Sequence, residues 1–191
     1  MATIDITNRQ IAARIVYYGP GLSGKTTNLV NIHARLPETS RGDMRSIATE
    51  SERTLFFDFV PIEPIRLDGW DIRFHLYSVP GQDVYVRTRR AILGGVDGIV
   101  FVADAAPDRQ AANQESLVEL DTHLEHYGRE RAKTPVVFQY NKTDLPSALS
   151  HDEMDERLNP FDMPSFDAIA TQGNGVAETL TAISKLVGRT L

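Results

Sequence analysis

The stretch that decides the fold is Gly19-Pro20-Gly21-Leu22-Ser23-Gly24-Lys25-Thr26. It fits the phosphate-binding pattern G-x-x-x-x-G-K-[ST] at every position. Its glycines let the backbone curl so that successive N–H groups point at one anion, and the helix that follows adds its positive end. Lys25 then reaches the outer phosphates, and the Thr26 hydroxyl is the expected ligand of a bridging Mg²⁺ ion. We expect nucleotide contacts from Gly19, Gly21, Leu22, Ser23, Gly24, Lys25, Thr26 and Thr27.

The flanks of this loop have the pattern that a phosphate-binding loop requires. Upstream, residues 14–18 form a β-branched and aromatic run that is typical of a strand. Downstream, Leu29, Ile32 and Leu36 recur at helical spacing. Strand, loop and helix therefore follow one another in the expected order.

The rest of the chain predicts an α/β fold with a mixed, mostly parallel six-stranded sheet flanked by helices. Helical patterns at about 108–128 and 176–187 alternate with strand-like runs. A short turn near Gly69 predicts that the second and third strands form an antiparallel hairpin, whereas the other strands need helical crossovers and should be parallel. We expect residues 1–191 to form one domain, with a mobile functional loop at about 37–53. The five strand-like runs beyond the first are 54–62, 71–78, 98–103, 135–140 and 165–170.

Composition narrows the class of protein. The chain has 191 residues, a formal charge of −6 and no cysteine. Because the chain is acidic and has no cluster of five or more Lys and Arg residues, we expect no nucleic-acid partner. The termini show neither a signal peptide nor a lipidation motif, which predicts a cytoplasmic protein without a lipid anchor.

The run Asn141-Lys142-Thr143-Asp144 predicts which base is bound. It directly follows an apolar strand, at the edge where open α/β sheets bind ligands. Asp144 can accept hydrogen bonds from N1–H and the 2-amino group of guanine, and adenine offers no such pair of donors. We expect Asn141 to contact the base and to brace the phosphate loop, and the Lys142 stem to lie along the ring.

At this point the chain resembles the Ras-like small GTPases, and more closely the bacterial MglA-type GTPases that control cell polarity and gliding or pilus-driven motility. The resemblance covers essentially the whole chain. Beyond the general motifs, it is carried by residues 15–21, 52–59, 73–77, 79–82 and 95–104.

The resemblance implies GTP and GDP as ligands, Mg²⁺ as cofactor, and roles for several further residues. Thr54 resembles the threonine that joins Thr26 on Mg²⁺ and contacts the γ-phosphate. Arg53 resembles a built-in arginine finger, and Gln82, which follows Gly81, resembles the glutamine that orients the attacking water. The residues alone leave other readings open: a solvated arginine, an ordinary turn glutamine, and a strand threonine that faces water. Ala170 and Thr171 resemble the family's last base-contacting loop, although Gln172 stands where that loop usually has a lysine.

Two positions depart from the general small GTPase pattern. Ser78 stands where an aspartate usually holds Mg²⁺ through a water molecule, and we expect Asp58 to act as the substitute. Asp83 follows Gln82 where the family has an apolar residue. The Ser78 departure motivates an alternative function, a GTP-binding module that does not hydrolyse GTP or does so only with a partner. A nucleotide or small-molecule kinase is a second rival, against which Asp144 argues.

The resemblance also implies a switch more than a metabolic enzyme. Slow intrinsic hydrolysis would be stimulated by a roadblock-type dimer similar to MglB, and effectors would bind the GTP state, with recruitment to a cell pole by partners.

The remaining titratable residues suggest no second chemistry. His123 and His126 have helical spacing, and we interpret them as part of a solvated helix face and not as a metal site. The sequence supports no Ser-His-Asp arrangement.

Overall fold

The computed structural model describes residues 2–48, 53–59, 69–81 and 86–191. Its strands join one mixed sheet in the order β3-β4-β5-β2-β6-β7-β8, with β1 paired to β2. β2, β5, β6, β7 and β8 run parallel, whereas β1, β3 and β4 add antiparallel pairings. The strands are β1 Thr3–Asp5, β2 Gln10–Tyr18, β3 Arg45–Ala48, β4 Arg53–Phe59, β5 Asp71–Ser78, β6 Gly98–Asp104, β7 Val136–Asn141 and β8 Ser165–Ala168.

The six predicted strands are confirmed, including the antiparallel pairing of β4 with β5. Two short strands that the sequence did not predict bring the described sheet to eight. β1 has only three residues, all exposed, so it carries no apolar alternation. β3 lies in the segment that the sequence predicted to be a mobile loop. That prediction is wrong for residues 45–48, because they form a strand that pairs with β4. Pairing with β4 stabilises this strand more than the strand propensity of its own residues does.

Five α-helices lie in the described part of the chain: α1 Lys25–Arg35, α2 Val86–Leu93, α3 Gln110–His126, α4 His151–Leu158 and α5 Val176–Gly188. The sequence predicted α1, α3 and α5. It missed α2 and α4, which are eight residues long and bury few apolar side chains. α4 begins with a capping box, in which Ser150 and Glu153 satisfy each other's backbone N–H groups.

The helices cover both faces of the sheet and make two apolar cores. α1 and α5 pack on one face, and α5 contributes the predicted stripe of Val176, Leu180, Ile183 and Val187. On the other face α3 contributes Leu117, Leu120 and Leu124, beside side chains of α2 and α4. Tyr127, predicted to continue the α3 stripe, is instead exposed at the end of the helix, where its hydroxyl donates to Arg90 O.

Strand direction decides where a ligand can bind. The parallel strands β2, β5, β6, β7 and β8 all end at one edge of the sheet, because parallel neighbours share their direction. The loops that carry the predicted site residues leave the sheet at that edge. In the part of the chain that is described, no helix is long and apolar enough to span a bilayer.

Candidate nucleotide-binding site

The loop between β2 and α1 is shaped by two glycines. Gly19 has φ +137°, and a Cβ there would lie 2.2 Å from Val102 O on β6. Gly24 has φ +102°, and a Cβ there would lie 2.1 Å from the Asn141 side-chain nitrogen. Both positions therefore require glycine, for conformation and for space.

The loop encloses a cavity of about 280 Å³, lined by Leu22, Gly24, Lys25, Thr26, Thr27, Val79 and Gly81. α1 begins at Lys25 with no side chain capping its first amides. Such amides, together with the positive end of the helix dipole, form a site for an anion. Thr26 is exposed at the cavity, where its hydroxyl is accessible. A cradle that admits no Cβ and presents backbone N–H groups and a threonine hydroxyl fits a phosphate chain with bound Mg²⁺.

Lys25 is held at this cavity by the loop itself. Its side chain is 5% exposed, and Nζ donates to Gly19 O at 2.9 Å and to Pro20 O at 2.6 Å. These carbonyls fix the ammonium group without neutralising it. The result is a positive charge positioned beside the uncapped end of α1.

Asn141 joins three loops of the site. Its Nδ2 donates to Ser23 O in the phosphate loop at 2.8 Å, and its Oδ1 accepts from Ala170 N at 2.9 Å. The bracing of the phosphate loop that the sequence predicts is therefore observed. Because Ala170 N–H is used by Asn141, Ala170 serves as part of the frame. The exposed Thr171, by contrast, donates its N–H to no acceptor among the described residues.

Asp104, at the end of β6, binds Lys142, the lysine of the predicted base-recognition loop. Its carboxylate is 1% exposed and accepts from Lys142 Nζ at 2.5 Å. Lys142 has φ +69°, an uncommon conformation for a residue other than glycine. Asp144 lies two residues further on and is exposed. The lysine is thus held by a buried anion while the aspartate carboxylate faces solvent.

The end of β5 packs directly on the phosphate loop. A Cβ on Gly81 would lie 2.4 Å from Gly21 N and 2.7 Å from Pro20 C, so the two backbones are in contact. Ser78 and Val79, which precede this contact, are buried. Gln82 lies outside the described residues, but it directly follows this fixed point.

The register of β4 locates three further predicted residues by their backbone. Phe56 pairs with Tyr77, and because the strands are antiparallel, Thr54 and Arg53 continue toward the level of Val79 and Pro80. They therefore lie on the nucleotide side of the sheet. Asp58 pairs with His75, three residues before Ser78, which separates the two levels by about 10 Å along the strand. The role of Asp58 on Mg²⁺ stays a prediction.

Comparison with known proteins decides the family. The family model described as "ADP-ribosylation factor family" matches residues 3–187. The chain belongs to this family. It is an MglA-like small GTPase, 48% identical over 187 residues to the Mutual gliding-motility protein MglA of Myxococcus xanthus (strain DK1622), with 98% of this chain and 96% of that protein covered. It is also 31% identical over 109 residues to ADP-ribosylation factor-like protein 4D of Bos taurus and of Homo sapiens, which covers 57% of this chain and 52% of each relative.

Three residues that support the site of this small GTPase were not predicted from its sequence. Arg109 donates to Gly21 O in the phosphate loop at 2.7 Å. Asn31 donates to Ala170 O at 2.8 Å, and Arg35 donates to Gln172 O at 2.6 Å. Both of the latter lie on α1, so that helix braces the loop predicted to contact the base. Only their helical spacing of four residues was visible in the sequence.

One sequence interpretation of a histidine is wrong. His123 is 3% exposed, not solvated, and its Nδ1 lies 3.2 Å from the Tyr18 hydroxyl. The described residues contain no group of three or more His, Cys, Asp or Glu side chains that could hold a metal ion.

His151 forms a separate polar cluster. Its Nδ1 lies 2.9 Å from Asp167 Oδ1 and its Nε2 lies 3.0 Å from Ser165 Oγ, which is a Ser-His-Asp arrangement that the sequence did not suggest. Ser165 Oγ donates in turn to Asp155 Oδ2 at 3.2 Å. Burial opposes a charge on His151, but Asp167, Asp155 and Asp152 outweigh it and raise its pKa. These contacts join the start of α4 to β8, and we interpret the cluster as structural.

Proposed function

We propose that the protein binds GTP and GDP at the loop between β2 and α1, hydrolyses GTP to GDP and phosphate, and acts as a two-state switch. The observation that carries the proposal is the meeting of the phosphate loop, the Asn141 loop and the Ala170 loop through one side chain, Asn141. It supports an anion cradle and a base-recognition loop at the same edge of one sheet.

Guanine recognition rests on the exposed groups beside that frame. Asp144 accepts from N1–H and the 2-amino group, and the Lys142 stem, held by Asp104, lies against the ring. The N–H of Thr171 donates to O6, since that of Ala170 is already taken by Asn141. Asn141 contacts the base while it holds the frame.

The phosphates lie against the loop glycines and the amides that begin α1. Gly19, Gly21, Leu22, Ser23, Gly24 and Thr27 form the cradle, and Lys25 neutralises the outer phosphates. Thr26 and Thr54 hold Mg²⁺, which offsets negative charge on the phosphate oxygens. Ser78 offers a neutral hydroxyl near this point, so the ion is held with fewer charges than an aspartate would provide.

Hydrolysis depends on Arg53 and Gln82, together with the Gly81 N–H group. Arg53 begins β4, whose register leads it toward the phosphate loop. Gln82 follows the contact between Gly81 and Gly21 and orients the attacking water. Intrinsic turnover is slow, because both residues act only when the segments that carry them are fixed.

Similarity to a protein named for gliding motility supports a role in polarity or motility. In that role, a roadblock-type dimer similar to MglB stimulates hydrolysis, effectors recognise the GTP state, and partners recruit the cytoplasmic protein to a cell pole. Regulation acts on the segments that carry Arg53 and Gln82, because these segments sense the γ-phosphate.

The test is single-turnover phosphate release from GTP-loaded protein with Mg²⁺ and no partner. Slow but complete release supports the proposal, whereas stable GTP supports the alternative, a non-hydrolysing or partner-dependent binding module motivated by Ser78. Arg53→Ala and Gln82→Ala should bind GTP and hydrolyse it far more slowly. Normal turnover in either variant would remove that residue from the mechanism.

A further inference from the structure

Four polar side chains meet between the sheet and two helices, and we name them the Arg89 cluster: Tyr18, Arg89, Glu119 and His123. Arg89 on α2 is 3% exposed, and its Nε and Nη2 each lie 2.6 Å from an oxygen of Glu119 on α3. This two-point pairing fixes the orientation of the guanidinium group as well as its position.

The third guanidinium nitrogen of Arg89 contacts the segment that leads to Gln82. Its Nη1 donates to Pro80 O at 3.0 Å, directly before Gly81. Arg89 itself lies on α2, which follows that segment. One guanidinium group therefore joins the residue before Gly81 to the helix after Gln82, and so bridges both ends of the stretch that carries Gln82.

Glu119 also connects this bridge to the phosphate loop. The hydroxyl of Tyr18, the residue before Gly19, donates to Glu119 Oε1 at 2.5 Å. Burial opposes the charge on Glu119, but the hydrogen bonds from Arg89 and Tyr18 outweigh it and lower the pKa of this carboxyl group. Burial also lowers the pKa of His123, which favours a neutral ring beside the carboxylate.

We propose that Glu119 is a positioning residue for GTP hydrolysis, which acts through Arg89 to hold Pro80 and Gly81, and hence Gln82, against the phosphate loop. The inference rests on the proposed function in one respect, that Gln82 acts in hydrolysis. Because the carboxylate holds Nε and Nη2 of Arg89, it orients Nη1 toward Pro80 O. Without it, the guanidinium group loses its fixed orientation.

The chain offers a matched control on the same helix. Asp121 on α3 pairs with Arg131, which is 8% exposed, at 3.0 Å. Each pair joins a carboxylate of α3 to a buried arginine, although Asp121 and Arg131 meet at one ion-pair contact and not in a two-point hydrogen bond. Arg131 follows α3 in the chain, before β7, and does not belong to the phosphate loop. A general loss of α3 stability should affect both pairs alike.

The experiment compares Glu119→Gln, Glu119→Asp and Asp121→Asn with the wild type. We expect Glu119→Gln to slow single-turnover hydrolysis by about ten- to a hundredfold, because small displacements of a catalytic group have effects of that size. Dissociation of a fluorescent GDP analogue should stay near the wild-type rate. Glu119→Asp, which keeps the charge, should restore part of the rate, and Asp121→Asn should leave it unchanged.

Hydrogen–deuterium exchange of the GDP-bound proteins gives a readout that does not depend on turnover. Glu119→Gln, or Glu119→Asp if the first variant does not fold, should increase deuterium uptake in residues 79–93 more than elsewhere. Wild-type hydrolysis together with unchanged uptake would overturn the inference, as would an equal slowing by Asp121→Asn. If the wild type itself never hydrolyses GTP, the proposed function fails, and uptake in 79–93 still decides whether the cluster holds that segment.

Discussion

Gly81 and Gly21 touch backbone to backbone, with room for no side chain between them. A Cβ at position 81 would lie 2.4 Å from Gly21 N and 2.6 Å from Gly21 Cα. Neither atom is the end of a flexible side chain, so an added methyl group must displace one of the two segments. The end of β5 and the phosphate loop are therefore positioned by each other.

Gly81→Ala should reduce hydrolysis without preventing GDP binding. The methyl group pushes Gly81 away from Gly21 and moves the adjacent Gln82, and a shift of this kind reduces the rate by about tenfold or more. Single-turnover phosphate release and GDP titration would measure the two effects separately.

Gly128→Ala is the control for this prediction. Gly128 has a positive φ, +67°, and no atom lies within 4 Å of its added Cβ. The substitution should cost about 1 kcal/mol of stability through backbone strain and leave hydrolysis unchanged. Equal loss of activity in both variants would contradict the steric explanation for Gly81.

Asn141→Ala should lower both stability and nucleotide affinity. Asn141 is 3% exposed, and its removal leaves Ser23 O and Ala170 N without their partner. Leaving buried polar groups unpaired costs about 1–3 kcal/mol, which a urea titration resolves. If stability falls but the affinity for GDP does not, the link between the two loops is not part of the binding site.

Asp144→Asn should change the preferred base from guanine to xanthine. Xanthine carries a carbonyl group where guanine has its 2-amino group, and the asparagine amide can donate to it, whereas the native carboxylate can only accept. Competition between XDP and GDP for each protein measures the preference. A variant that still prefers GDP would show that Asp144 does not read this edge of the base.

His151 should stabilise the fold more at low pH than at high pH. Its pKa is raised from 6.5 by neighbouring carboxylates, so the added stability is fully present below 6.5 and is lost as pH rises through the folded-state pKa. Urea unfolding of wild type and His151→Gln at about pH 5.5 and about pH 9 would test this sign. The exposed His126 on α3 provides a control substitution, His126→Gln. A difference that grows with pH would contradict the assignment.

Short sequence motifs predicted the phosphate loop and the elements next to it in the chain. The phosphate loop, its flanking strand and helix, and Asn141 at the end of β7 are all visible as short motifs. β3 was missed because its strand character comes from pairing with β4, and α4 was missed because only Met154 and Leu158 are buried.

Contacts between distant residues explain what the sequence did not predict. The histidine at 123 is buried because Tyr18, over a hundred positions earlier, supplies a partner for its ring. Arg109 reaches Gly21 across a similar separation. No periodicity in one segment records such pairs, since each depends on how two elements are placed by the sheet.

α1 also sets the distance between the two ends of the proposed ligand. The helix has eleven residues and is about 16 Å long, and it begins with Lys25 and Thr26 at the phosphate loop. Further along the helix, Asn31 and Arg35 donate hydrogen bonds to the loop that contains Ala170 and Gln172. A rigid helix cannot release one of these loops without moving the other. Loss of nucleotide should therefore be all-or-none, and an exchange factor that displaces either end of this single helix would empty the whole site.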